Sequence, residues 1–78
     1  YAQAALRSAA NCIATAPEGQ RNHTLNKEVW SLIRFAKNGE LSIREIANTL
    51  AAAGLASGLA RPEVLATIVS AVRAGGAV

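Results

Sequence analysis

Apolar residues recur at intervals of three and four positions through four segments of the chain, and no segment alternates as a strand would. This spacing predicts four helices and no strands. We expect them to run roughly over residues 2–16, from 22 or 24 to 37, from 42 to 53, and from 61 to 74. The predicted fold is therefore all-α, a compact bundle of four short helices in a single domain.

Each predicted helix carries one apolar stripe, and the four stripes together form the expected core. Their members are Leu6, Ala9, Ala10 and Ile13; Leu25, Val29, Leu32, Ile33 and Ala36; Ile43, Ile46, Ala47 and Leu50; and Leu65, Ile68, Val69 and Val72. Trp30 and Phe35 fall beside the second stripe rather than in its centre. The first stripe is thin, so the first helix is expected to pack closely or to lean on a region preceding Tyr1.

Turn and capping residues mark the predicted helix ends. Pro17 and Gly19 interrupt the chain before the second helix, and Gly39 is suited to the left-handed turn that ends that helix. The segment Ser42-Ile43-Arg44-Glu45 has the sequence of a capping box, in which the serine side chain and the glutamate carboxylate each accept a backbone amide. Pro62 in the first turn is a start signal for the fourth helix.

A chain of 78 residues is enough for one small domain with a marginal core. Because it begins at Tyr1 without a methionine, we expect it to be a fragment of a longer protein. No run approaches the roughly 18 apolar residues of a membrane span. The single Cys12 cannot form an internal disulfide and is expected to pack as a small apolar residue. These features favour a cytoplasmic protein.

The charge and the reactive side chains exclude most catalytic sites. A net charge of +3 and a pI near 9.8 allow contact with nucleic acid without requiring it. The five acidic residues are all glutamates, which leaves no Ser-His-Asp triad. Cys12 and His23 are too few to ligate zinc, and no phosphate-binding Walker loop occurs. The sequence therefore predicts a non-enzymatic domain with no cofactor and no metal.

Polar and turn residues are concentrated in one place, over residues 16–26. They precede and open the second helix, where unpaired amides and the helix dipole favour an anion. Basic side chains at this end would add to the positive potential and suit a phosphate. The candidate contacts to nucleic acid or phosphate are Arg21, Asn22, His23, Asn26, Lys27 and Arg34.

Several of these candidates also have a structural interpretation. Asn22 can cap the second helix while Arg21 is solvated. Asn26, one turn later, can anchor the preceding turn through side-chain hydrogen bonds, and we favour that role. His23 in a polar turn is expected to be a surface residue.

A second set of candidates lies farther along the second helix. Arg34 and Lys37 lie on one flank and, with Lys27, extend the basic end along it. We favour a solvated basic face over a binding surface here. Trp30 can stack on a base, as aromatic residues do in single-strand binders, or pack half-buried against the bundle. We favour packing.

The segment Ser42–Leu50 looks like the first helix of a helix-turn-helix. That motif needs a turn of three or four residues before its recognition helix. Here about seven residues, 54–60, are expected to intervene, with their leucines filling gaps in the core. The following helix begins Pro-Glu-Val-Leu-Ala-Thr and has almost no base-reading side chains at its start. A helix-turn-helix regulator is therefore the weakest of the functional alternatives.

The segment Ala16-Pro17-Glu18-Gly19-Gln20-Arg21-Asn22-His23-Thr24-Leu25-Asn26 resembles an A-P-x-G-x-R-N-x-x-L-N segment. That segment belongs to helical regions of primase-polymerase and Toprim-type primase/helicase proteins of bacterial phages, plasmids and integrated elements. An alanine-rich helix before it, a Leu-Ile helix after it, and a closing segment over residues 66–75 extend the likeness over most of the chain. The chain departs from the pattern in its limited acidic content after Gly39.

The resemblance implies a small helical module beside a primase or helicase catalytic domain, without catalytic residues of its own. It assigns contact with template DNA or nucleotide to Arg21, Asn22 and Asn26. The expected partners are therefore single-stranded DNA or a nucleotide and the neighbouring primase or helicase domain. The alternative is a protein-interaction or interdomain docking module, whose sign would be an exposed apolar patch.

Overall fold

The computed structural model describes residues 1–76, which form four helices and, within that range, no strand. They are α1 (Ala2–Ala14), α2 (Arg21–Lys37), α3 (Ile43–Ser57) and α4 (Arg61–Ala74). The predicted all-α bundle of four short helices is confirmed. The ends of α2 and α4 match the prediction, whereas α1 stops at Ala14 and α3 continues past its expected end.

Hydrogen bonds between helix starts show how the helices run. The Gln3 side chain at the start of α1 donates to Glu45 at the start of α3 over 2.8 Å. Asn22 in the first turn of α2 donates to Glu63 in the first turn of α4 over 3.1 Å. Each pair therefore starts at a common end of the bundle. Helices α2 and α3 contact each other and both outer helices, whereas α1 and α4 do not touch.

The core follows the predicted stripes in the first three helices. Their buried apolar residues are Leu6, Ala9, Ile13, Leu25, Val29, Leu32, Ile33, Phe35, Ile46, Leu50 and Ala53. Ala10, Ala36, Ile43 and Ala47 are partly buried against them. Phe35 is buried, so the prediction that placed it beside the core stripe is wrong. The Tyr1 ring lies 5.8 Å from the Phe35 ring but is itself 91% exposed, so it adds little to the burial of Phe35.

The buried face of α4 differs from the predicted stripe. Ile68 and Val72 are buried as expected, but Leu65 and Val69 are about half exposed. Val64 and Ala71 are buried instead. A small alanine at position 71 lets α4 lie close to its neighbours, and hydrophobicity patterns give such a residue little weight. The helix is therefore rotated relative to the prediction.

The connection between α3 and α4 is shorter than expected. Gly54, taken as part of a seven-residue connector, lies inside α3, which continues to Ser57. A Cβ at Gly54 would lie 3.1 Å from Val64 Cγ2, so this glycine permits close packing of α4. The helix stops at Gly58, whose φ of +107° is left-handed. Leu59 packs partly against the core as expected, whereas Leu55 is exposed.

The predicted capping box at the start of α3 is formed. The Glu45 amide donates to Ser42 Oγ over 3.0 Å, and the Ser42 amide donates to Glu45 Oε1 over 3.3 Å. The Gln3 side chain adds a second hydrogen bond to the Glu45 carboxylate. Together with the Ser42 amide it lowers the pKa of Glu45 below the ordinary value of 4.5, with Gln3 the larger cause.

This lowered pKa predicts an acid-dependent loss of stability at the start of α3. A carboxylate with a lowered folded-state pKa stabilises the fold above the unfolded pKa, and that contribution disappears as the pH falls through the folded pKa. We expect Glu45→Gln to lower the thermal midpoint at neutral pH and to reduce its decline below about pH 4.5. Thermal unfolding followed by circular dichroism across this range measures both effects. Equal pH profiles for the variant and the parent chain would contradict the assignment.

Candidate nucleic-acid interface

The start of α2 is tied to α4 through Asn22. The residue that caps α2 is Gln20, and its side chain forms no capping hydrogen bond. Asn22 lies within the first turn, so the prediction that it caps the helix is wrong. Its side-chain amide donates to Thr67 Oγ1 over 2.7 Å and to Glu63 Oε2 over 3.1 Å. Both Asn22 amide contacts are therefore internal, and they clamp α2 to α4.

Arg21 lies half-buried between the start of α2 and the turn that joins α3 to α4. Its Nη1 is 3.2 Å from the place where a Cβ would stand on Gly58. Its Nε is buried and, within residues 1–76, has no hydrogen-bond partner. The absence of a side chain at Gly58 thus leaves room for the guanidinium to lie across the turn.

A cavity of about 250 Å³ opens beside Arg21. Its lining residues are Glu18, Gly19, Arg21, Asn22, Leu59 and Glu63. Two carboxylates and one guanidinium therefore face the same space. A phosphate placed there would be attracted by Arg21 and by the start of α2 and repelled by both glutamates. The phosphate contact expected at this end remains a prediction, and the mixed charge weakens the case for it.

The turn before α2 does not depend on Asn26. Its backbone closes through the Gln20 amide, which donates to the Pro17 carbonyl over 3.0 Å, while Gly19 adopts a φ of +91°. The Asn26 side chain is partly buried and, among residues 1–76, donates no hydrogen bond to this turn. The anchoring role predicted for Asn26 is therefore wrong, because the backbone supplies the closing contact.

The basic residues of α2 lie on a different surface, which we name the α2 outer face. It consists of His23, Lys27, Trp30, Arg34 and Lys37, all of them exposed. Their spacings of four, three, four and three residues place them on one side of the helix. No acidic residue occupies these positions. The expected surface position of His23 is confirmed.

Trp30 also lies on this surface. It is 48% exposed, which agrees with the half-buried packing expected of it and leaves about half of the indole in contact with solvent. Phe35, rather than Trp30, is the aromatic residue of α2 that is buried in the core. Lys27 and Arg34 lie one turn before and one turn after the indole. The α2 outer face therefore places a half-exposed indole between two cations.

Arg34 is held in place at one end of this face. Its Cζ lies 4.9 Å from the centroid of the buried Phe35 ring, a cation–π contact. Such a contact orients the guanidinium while leaving it at the surface. Phe35 thus positions one cation of the α2 outer face.

Other reactive side chains form no further site in the described part of the chain. Cys12 is exposed on α1, so its expected packing role is wrong. Residues 1–76 contain no group of three His, Cys, Asp or Glu side chains that could hold a metal ion. Among the same residues no helix combines the length and the apolar character needed to cross a membrane.

The chemistry of the α2 outer face suits a flexible polyanion that carries aromatic rings. Lysine and arginine attract phosphates without selecting a base, and an exposed indole can stack on any base. Comparison of the chain with protein-family models, curated proteins and solved structures found no match.

Proposed function

We propose that this domain is a non-catalytic helical module of a cytoplasmic DNA primase or primase-helicase that contacts single-stranded nucleic acid. The contact surface is the α2 outer face. The observation that carries the proposal is the half-exposed Trp30 with Lys27 and Arg34 one turn to either side. The link to primase proteins rests on the sequence resemblance of residues 16–26.

A single strand fits this face better than a duplex. An indole stacks on a base only when that base is free of its own neighbours, as in an unpaired strand. Lys27 and Lys37 are ten residues apart, and the rise of a helix separates them by about 15 Å. A strand advances about 3.4 Å per nucleotide when fully stacked and more when its bases are unstacked, so at most about four or five nucleotides span this distance. The site is thus short and its affinity modest.

A duplex-reading role has one observation in its favour. The turn between α3 and α4 has three residues, 58–60, and so meets the length that a helix-turn-helix requires. The exposed side of α4, however, presents Leu65 and Val69 rather than base-reading side chains. The length of the turn therefore no longer argues against a groove-reading motif. The lack of base-reading side chains on the exposed side of α4 still does.

Trp30 is the only tryptophan of the chain, so its own fluorescence reports the contact. We expect titration with a single-stranded oligonucleotide to quench this emission and the matched duplex to quench it far less. Lys27→Ala and Arg34→Ala should each weaken binding about threefold to tenfold and reduce the slope of log affinity against log salt by about 0.7. Anisotropy of a labelled oligonucleotide measures affinity and also serves for Trp30→Ala, which should bind about tenfold more weakly.

Substitutions of two further arginines, Arg7 and Arg21, distinguish the α2 outer face from the start of α2 as the contact surface. Arg7→Ala removes an exposed charge from α1 and should leave affinity within about twofold, because a single distant charge contributes little. Arg21→Ala tests the start of α2, and a loss confined to that variant would move the contact to the cavity beside Glu18 and Glu63. Binding that is unaffected by changes at Lys27, Trp30 and Arg34, or no binding at low salt, would refute the proposed surface.

A further inference from the structure

Helices α3 and α4 leave an apolar groove between them that the proposed nucleic-acid contact does not use. The groove, which we name the α3–α4 groove, has a volume of about 320 Å³. Its lining residues are Ile43, Ala47, Ile68, Val69, Val72 and Arg73. They belong to the first half of α3 and the second half of α4. At the opposite end the two helices approach closely at Gly54 and Val64.

The groove continues onto the exposed side of α4. A shallow depression lined by Leu65, Ala66, Val69, Ser70 and Arg73 shares Val69 and Arg73 with the groove. Leu65 and Val69 are 48% and 47% exposed and lie one turn apart. Exposed aliphatic side chains in one continuous patch are typical of a surface that another element covers. The small Ala47 and Ala66 leave room for side chains to enter.

Charge identifies the kind of element that would cover this surface. Among residues 1–76, Arg73 is the only charged residue that lines either the groove or the depression. In a symmetric pair of copies the patch would face itself, and its described lining residues offer Arg73 no carboxylate to pair with. The chain also carries a net charge of +3, which opposes association with a second copy. Both facts favour an acidic occupant over self-association.

We propose that the α3–α4 groove docks an amphipathic helix of a partner segment that carries aliphatic anchors and an adjacent carboxylate. The anchors, at spacings of three and four, would enter the groove and cover Leu65 and Val69, as in helix-in-groove recognition. The carboxylate would pair with Arg73 at the rim. The proposal does not rest on nucleic-acid binding, which involves none of these residues.

The test uses two labelled synthetic helical peptides against the whole chain. One carries leucines at spacings of three and four with flanking glutamates, and its twin has lysines in place of the glutamates. We expect the acidic peptide to bind and the basic twin to bind about fivefold more weakly. Arg73→Glu should reverse this preference. Leu65→Ser and Val69→Ser should each weaken binding of the acidic peptide about tenfold, because the half-exposed side chains lose apolar contact.

Leu55→Ser is the matched control, because Leu55 is exposed on α3 but lines neither cavity. Its affinity for the acidic peptide should stay within twofold of the parent chain. Equal binding of the two peptides, no binding of either, or no effect of Leu65→Ser would overturn the proposal. A dimer in sedimentation experiments that Leu65→Ser dissociates would also overturn it, since a second copy would then be the occupant. All the substituted residues are exposed, so the variants should fold.

Discussion

Replacing Leu50 by alanine is expected to lower the free energy of unfolding by about 3 kcal/mol. Leu50 is fully buried in the middle of α3, a helix that contacts all three others. Truncation removes the transfer free energy of the side chain and leaves a cavity that a tightly packed core closes only partly. A domain of 78 residues has a total stability of roughly 4–12 kcal/mol. The substitution should therefore remove roughly a quarter to three quarters of the total stability.

Urea unfolding followed by far-UV circular dichroism measures this loss. Leu55→Ala is the control, since Leu55 lies in the same helix but is 41% exposed. We expect its effect to stay below about 2 kcal/mol, because 41% of its surface is already in water and its truncation opens no enclosed cavity. Similar losses in the two variants would contradict the placement of Leu50 at the centre of the core. The comparison holds helix propensity constant, since both changes are leucine to alanine in one helix.

The four helices could be predicted because turn and capping residues mark their ends and apolar residues recur at the helical period. Gly39 ends α2, and the Ser42–Glu45 capping box starts α3 where the sequence places it. The choice between Trp30 and Phe35 was not predictable in the same way. Both lie beside the stripe of α2, and only the packing of the other helices determines that Phe35 is 5% exposed and Trp30 48% exposed. The exposed indole follows from tertiary packing rather than from the period of α2.

Small residues account for the other errors in the predicted fold. Gly54 and Gly58 are equally good stop signals in the sequence, but one lies within α3 and the other ends it. Only the position of Val64 shows why Gly54 is needed inside the helix. Ala71 likewise faces the core because α4 packs closely, and this turns Leu65 and Val69 outwards. Hydrophobicity alone does not identify positions where small size is what matters.

The candidate contact residues fall into two groups, those exposed on the surface of α2 and those already engaged by another helix. Contacts between helices, which the sequence pattern does not show, decide the group. His23, Lys27 and Arg34 lie on the α2 outer face, where their helical spacing predicts. Asn22 is engaged by Thr67 and Glu63, which are more than forty residues away in the chain. A sequence pattern that shows polar side chains at a helix start does not reveal that another helix already uses them.

Replacing Gly58 by valine is the second change with a large expected effect. Gly58 has a φ of +107°, a region that a β-branched residue adopts only with strain. The turn between α3 and α4 has only three residues, so neighbouring positions cannot absorb the change. We expect a loss of about 2–3 kcal/mol in the free energy of unfolding. Urea unfolding of the parent chain and the variant measures it.

Two further substitutions at the same position separate backbone strain from crowding of Arg21. Asparagine tolerates left-handed backbone better than alanine, although it is larger. If strain dominates, Gly58→Asn should therefore lose less stability than Gly58→Ala, and both less than Gly58→Val. If contact with the Arg21 guanidinium dominates, the loss should instead rise with side-chain size, and the double variant with Arg21→Ala should recover it. The guanidinium is the far end of a flexible side chain, so we expect the order set by strain.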